Sequence, residues 1–175
     1  MKLTTTSKAI LSAVNTVGQV IKSTTLPILD NVLFEVKSGT LKITADNLEV
    51  RSCQTIPVTS ETDFSICIPF EMLSKILKGL PETPIDFTFS NNNLNISYPL
   101  GEYNMTTVPS IEFPKDIEFE SEKSISVNSS VLSHALSKAL MFIDETDDRP
   151  IGKLLIKVSE ENTFVVGMSG HVGIE

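Results

Sequence analysis

The 175-residue sequence has no tryptophan, two tyrosines, two cysteines and two histidines. Cys53 and Cys67 stand in no metal-ligand spacing, so neither a disulfide scaffold nor a zinc ribbon is available. Two histidines leave little room for a metal centre or a nucleophilic triad, and no metal or cofactor is expected. No apolar run approaches the ~18 residues of a membrane span. The polar start, Met1 to Thr6, lacks a signal-peptide core, so the chain is expected in the cytoplasm. There is no phosphate-binding loop and no dinucleotide fingerprint. A basic balance is missing too: 14 basic against 22 acidic residues give a net charge of −8. Binding to nucleic acid would therefore have to come from how charge is distributed. What is present is 41% hydrophobic residues, enough for a packed core of one domain or a little more.

Three segments carry apolar residues at helical spacing. Over 7–22 these are Ile10, Val14, Val17 and Ile21, with Lys8, Ser12, Asn15, Gln19 and Lys22 on the opposite stripe. Over 70–78, Leu73, Ile76 and Leu77 oppose Glu71, Ser74, Lys75 and Lys78, and Gly79 with Pro81 marks the stop. Over 130–143, Leu132, Leu136, Ala139, Leu140 and Ile143 face inward, His134, Ser137 and Lys138 face solvent, and Ser129 or Ser130 is the expected N-cap. Between them lie β-type runs at 32–36, 41–45, 50–58, 64–68, 85–90, 94–98, 103–108, 154–158 and 164–167. Ser38-Gly39 and Asn91-Asn92-Asn93 fit tight turns, since Gly and Asn tolerate positive φ. This order predicts an α+β fold of hairpin-connected strands rather than βαβ alternation.

The chain also repeats itself. Shifted by about 122 residues, 125–170 lies over 3–48 without a gap. Leu3 falls on Ile125, Ile10 on Leu132, Val14 on Leu136, and Leu33-Phe34 on Leu155-Ile156. The acidic stretch 117–123 is the natural linker, giving one domain over 1–122 and an incomplete second over 123–175. Charge is segregated along the same lines. The three helices hold Lys8, Lys22, Lys75, Lys78 and Lys138 against Glu71 alone, and no acid precedes Asp30. A lysine-bearing, Ser/Asn/Gln-rich helical face suits a polyanion, contacting phosphates without reading sequence.

No catalytic constellation survives inspection. Gly167-Met168-Ser169-Gly170-His171 fails the nucleophile-elbow pattern, because His171 stands where its second Gly belongs. Asp144, Glu145, Asp147 and Asp148 lack the central Gly and closing Glu of a calcium loop and read as a solvated loop. Cys53 and Cys67 read as strand thiols, and no enzyme activity is expected.

Four motifs, in order, resemble a known family: Thr25-Leu26-Pro27-Ile28-Leu29-Asp30-Asn31-Val32-Leu33-Phe34-Glu35; Gly39-Thr40-Leu41-Lys42-Ile43-Thr44-Ala45-Asp46-Asn47-Leu48-Glu49; Lys78-Gly79-Leu80-Pro81; and Val108-Pro109-Ser110-Ile111-Glu112-Phe113-Pro114. Together they resemble the first domain of bacterial sliding clamps, the beta subunits of DNA polymerase III. The resemblance implies the clamp fold, repeated strand–helix–hairpin units with helices on one face of antiparallel sheets. It further implies a non-enzymatic processivity factor that encircles duplex DNA, tethers polymerase and is handled by a clamp loader. Lys8, Lys22, Lys75, Lys78 and Lys138 become the expected DNA-facing residues, joined by Arg149, which matches a basic residue of the family. Gly152, Met168, Gly170, His171 and Val172 become part of a pocket for partner peptides, expected as a partly exposed apolar depression.

The sequence departs from the family where Ser23 replaces a frequent basic residue. It departs again where Gly167 to Gly173 keeps only Gly170 and His171 of an Ala-Thr-Asp-Gly-His-Arg-Leu motif. It also stops within the second domain. The alternative reading is therefore a truncated clamp-like protein that binds a replication partner without encircling DNA. A lone half-domain would leave Leu132, Leu136, Leu140, Leu154 and Ile156 facing solvent, so a homodimer through 124–175 is expected.

Overall fold

Alternation of apolar residues builds two five-stranded antiparallel sheets in the first part of the chain. The computed structural model describes residues 1–21, 26–116, 125–143, 153–159, 162–168 and 173–174. The chain divides into two compact units, Met1–Ile117 and Glu118–Glu175.

In the first unit, strand β1 (Lys2–Thr6) leads into helix α1 (Ser7–Val17). Then follow β2 (Asn31–Lys37), β3 (Thr40–Asp46), β4 (Arg51–Pro57) and β5 (Thr59–Ser60). Strand β6 (Phe64–Pro69) leads into α2 (Phe70–Gly79), followed by β7 (Pro84–Ser90), β8 (Asn93–Tyr98), β9 (Gly101–Thr106) and β10 (Val108–Pro109). One sheet runs β5-β1-β7-β8-β9 and the other β10-β6-β2-β3-β4. The hairpin turns fall where expected: Ser38, Gly39, Asn91 and Asn92 all have positive φ, as a two-residue turn matched to strand twist requires.

The inner faces of both sheets and of both helices share one core. Leu3, Phe87 and Ile96 come from the first sheet, Phe34, Ile43 and Ile68 from the second, and Ile10, Val14, Leu73 and Leu77 from the helices. The rings of Phe34 and Phe87 meet across the sheets with centroids 6.3 Å apart. Each such fully buried side chain contributes about 1.5–3 kcal/mol.

Helix α1 ends five residues earlier than its periodicity predicts. A 3₁₀ turn, Gly18–Val20, replaces its last part, and Lys22 lies outside the described residues. Gly18 opens that turn under the Phe70 ring: a Cβ there would sit 2.1 Å from Cε2 of Phe70, so a larger residue would require the ring to shift.

The second unit repeats half of this plan at the predicted offset. Helix α3 (Ser129–Leu140) precedes β11 (Leu155–Val158), β12 (Thr163–Met168) and β13 (Gly173–Ile174), ordered β11-β12-β13. Its N-cap is Asn128 rather than Ser129 or Ser130. The Asn128 side chain accepts from the amides of Ser130 and Val131, which a residue already inside the helix cannot do. Of the side chains expected to face solvent, Leu140 and Ile156 do. Leu132, Leu136 and Leu154 are half-buried, because α3 packs on β12. That contact is close: a Cβ on Gly167 would lie 2.0 Å from the carbonyl oxygen of Ala139.

Candidate nucleic-acid interface

The outer face of α1 and α2 follows from how their ends are joined. Ser7, the first residue of α1 and almost wholly buried, is tied to the chain just past α2. Its amide donates to the Thr83 carbonyl at 2.9 Å. Its hydroxyl donates to the Pro81 carbonyl at 2.7 Å and accepts from the Thr83 amide at 3.0 Å. At the other end, Gly18 receives the ring of Phe70, the first residue of α2. The helices therefore lie side by side and antiparallel, and both turn their apolar stripes to the shared core.

Their polar stripes face outward together. On α1 the exposed residues are Lys8, Ser12, Asn15 and Thr16, continued by Gln19 in the 3₁₀ turn; on α2 they include Glu71, Lys75 and Lys78. Lys8, in the first turn of α1, and Lys78, in the last turn of α2, belong to the same end of the pair. Lys8 Nζ lies 3.4 Å from Glu82, and Lys75 Nζ lies 3.8 Å from Glu71. Among the described residues Lys78 has no ion-pair partner. Two of the three lysines thus already hold a carboxylate, and the surface is less basic than the residue count implies. Exposed pairs of this kind are worth about 0–1 kcal/mol, so either lysine can exchange its carboxylate for a phosphate at little cost. Glu82 was invisible to the helix pattern because it lies beyond the helix end. It reaches Lys8 only through the Ser7–Thr83 junction.

In the second unit, Lys138 is exposed in the last turn of α3, and His134 is exposed as well. Met168 ends β12, exposed and paired in register with Gly173. Lys22, Arg149, Gly152, Gly170, His171 and Val172 lie outside the described residues.

The densest charge cluster sits elsewhere, on the sheet face turned away from the helices. Arg51 donates to Asp46 at 2.5 Å, to Asp116, and to the Pro114 carbonyl at 2.7 Å. Lys42 donates to Asp116 at 2.8 Å. Hydrogen bonds from Lys42 and Arg51 hold the Asp116 carboxyl below the usual carboxylate range. A cavity of about 200 Å³ lies beside this cluster, lined by Leu33, Glu35, Arg51 and the segment from Phe113 to Asp116. Its charges are spent on one another, so it reads as a clasp holding the end of the unit to the sheet. Burial pushes the Cys67 thiol up to about 12, with the Glu35 charge adding to the shift, which leaves it unreactive at neutral pH. Among the described residues no cluster of His, Cys, Asp or Glu could hold a metal ion, and no described helix is long and apolar enough to cross a membrane.

Comparison with known proteins agrees with this architecture. The beta sliding clamp of Buchnera aphidicola (Acyrthosiphon pisum strain APS) is 26% identical over 154 residues, 86% of this chain and 42% of the relative. The beta sliding clamp of Vibrio harveyi is 32% identical over 118 residues, covering 65% of this chain and 80% of the relative. The crystal structure of the DNA polymerase III subunit beta from Pseudomonas aeruginosa superposes with a TM-score of 0.90 at 25% identity. That match covers 98% of this chain and 48% of the solved one. The chain thus has the sliding-clamp fold and spans about half the length of the Buchnera relative and of the Pseudomonas structure. Residues 1–117 match the model of the DNA polymerase III beta subunit, N-terminal domain, and the chain belongs to that family.

Proposed function

We propose that this chain is part of a DNA polymerase processivity clamp, contacting duplex DNA without sequence preference through the outward stripe of α1 and α2. One observation carries the reading. The helix pair presents Lys8, Lys75 and Lys78 among Ser12, Asn15, Thr16 and Gln19, with no acid on α1 and only Glu71 on α2. Lysines serve as mobile phosphate contacts, and the short polar side chains donate hydrogen bonds to phosphate oxygens. No aromatic side chain interrupts the stripe, so single-strand stacking is not the mode. Lys22, Lys138 and Arg149 extend the same role. The domain boundary at 122, a partner-peptide pocket around Gly152, Met168, Gly170, His171 and Val172, tethering of polymerase, handling by a clamp loader, homo-oligomerisation and a cytoplasmic location complete the reading. It is one of binding, not catalysis.

The pairing of Lys8 with Glu82 and of Lys75 with Glu71 favours a second reading, a clamp-like protein that binds a replication partner and holds DNA only weakly. Anisotropy of a labelled duplex across a salt series separates the two. Under the first reading, log affinity falls with log salt, losing about 0.9 per phosphate neutralised. Lys78→Ala then lowers the slope by about that amount, alike on unrelated sequences. Salt-independent binding, or a slope unmoved when Lys8, Lys75 and Lys78 are all replaced, rejects it.

A further inference from the structure

Glu82 owes its place to Ser7. It lies between the end of α2 and the start of β7, and its backbone is held on both sides by that one residue of α1. The Ser7 hydroxyl donates to the Pro81 carbonyl, just before Glu82, and the Ser7 amide donates to the Thr83 carbonyl, just after it. The Glu82 side chain therefore starts from a fixed point beside the first turn of α1, where Lys8 follows Ser7 directly. Its carboxylate lies 3.4 Å from Lys8 Nζ, and the two side chains stay largely in solvent, 72% exposed for Lys8 and 69% for Glu82.

The three lysines of the stripe are therefore held in three different ways. Lys75 and Glu71 sit one turn apart on α2, and their pairing follows from helix spacing alone. Lys78, in the last turn of α2, has no ion-pair partner among the described residues. Lys8 is the one lysine of α1, a helix with no acid of its own, and its carboxylate is delivered from outside both helices. The fold thus places a negative charge at a point of the stripe where neither helix supplies one.

We propose that Glu82 is a resident counter-ion for the duplex contact made by Lys8, a reading that rests on the stripe meeting phosphates. Without a duplex, Glu82 holds Lys8. On contact the ammonium passes to a phosphate oxygen, and it returns to Glu82 as that phosphate moves away. An exposed pair of this kind is weak enough to open, and the tethered backbone at 81–83 keeps the carboxylate near for the return. Small ions follow the exchange. The duplex gives up a condensed cation to Lys8, while the freed carboxylate recovers a cation from solution. This contact therefore adds little to the net ion release that drives binding. Lys78 has no carboxylate to give up and makes the ordinary contact. Glu82 sets how loosely the stripe holds the duplex without touching it.

A double-mutant cycle on the full chain tests it, with Glu82→Gln, Lys8→Ala and the two together bound to a labelled duplex of mixed sequence across a salt series. Both side chains are exposed, so circular dichroism should not change. Glu82→Gln should bind about two- to fivefold tighter at low salt, and its salt slope should steepen by up to about 0.9. In the Lys8→Ala background the same substitution should lose most of that gain. An equal gain with and without Lys8 would make Glu82 a general repulsive charge and overturn the proposal, as would a Glu82→Gln chain that binds like the parent. Lys78→Ala keeps this test apart from the stripe reading. If it weakens binding while Glu82→Gln strengthens nothing, the counter-ion role alone fails. If neither Lys78→Ala nor salt moves binding, the stripe reading fails and the counter-ion role with it.

Discussion

Replacing Ser7 by alanine removes one hydroxyl that closes two hydrogen bonds between the start of α1 and the chain after α2. The side chain is 3% exposed, so water cannot replace it freely at the Pro81 carbonyl or the Thr83 amide. Two neutral bonds at a net ~0.5–1.5 kcal/mol each predict a loss of about 1–3 kcal/mol. One kcal/mol shifts the melting temperature by roughly 4–8 °C in a domain of 60–100 residues and about 2–4 °C in one of 150–250. A unit of 117 residues lies between these, so a fall on the order of 5–10 °C is expected. With no tryptophan to report, urea and thermal unfolding are followed by far-ultraviolet circular dichroism. Thr16→Ala is the control. Its hydroxyl bonds only to the Ser12 carbonyl on the exposed side of α1, and a change within about 0.5 kcal/mol is expected. If Ser7→Ala is as stable as that control, the junction does not hold the helix pair, and the placement of Lys8 beside Lys78 loses its support.

The two tight glycines should behave differently. Gly167→Ala meets backbone atoms of Ala139 that cannot swing away and should cost about 1–3 kcal/mol, read as lost amide-exchange protection in β12. Gly18→Ala meets only the Phe70 ring and should cost less. For the thiols, one cysteine, the exposed Cys53, should react with a disulfide reagent in the native chain and two in denaturant; two fast native thiols would contradict the burial of Cys67. Asp116→Asn opens the clasp. The carboxyl is depressed by its cationic partners, so its contribution is complete above its ordinary value of 3.8 and disappears as pH falls through the lower native one. The urea midpoints of the chain and of Asp116→Asn should differ at neutral pH and converge in acid; a constant difference would contradict this.

Much of the layout is legible in the sequence, and what is missed has a common cause. Helix periodicity places α1, α2 and α3 within a few residues, and alternation finds most strands, because both signals are local. The 122-residue repeat finds the half-domain plan of the second unit. The pairing of β1 with β7 and of β6 with β2 is not legible, since pairing β1 with β7 joins residues about 80 apart and no local pattern records it. For the same reason residues 125–128, which lie over β1 in the repeat, form no strand among the described residues: β1 is held by its pairing with β7. Counting charges finds the lysine-bearing stripe but not its partial neutralisation, which needs Glu82 carried to Lys8 by the Ser7 junction. Asn128 shows the remaining limit, for any of three adjacent polar residues suits a cap and the backbone decides among them.

The central claim is that the outward helix stripe, and not the sheets, meets the duplex. Amide chemical shifts of the isotope-labelled chain, titrated with a short duplex at low salt, test it residue by residue. Lys8, Ser12, Asn15, Gln19, Lys75 and Lys78 should shift together and return as salt is added, while Glu35, Lys42 and Thr88 on the outer sheet faces stay in place. Shifts concentrated on those strands, or a stripe indifferent to the duplex, would contradict it.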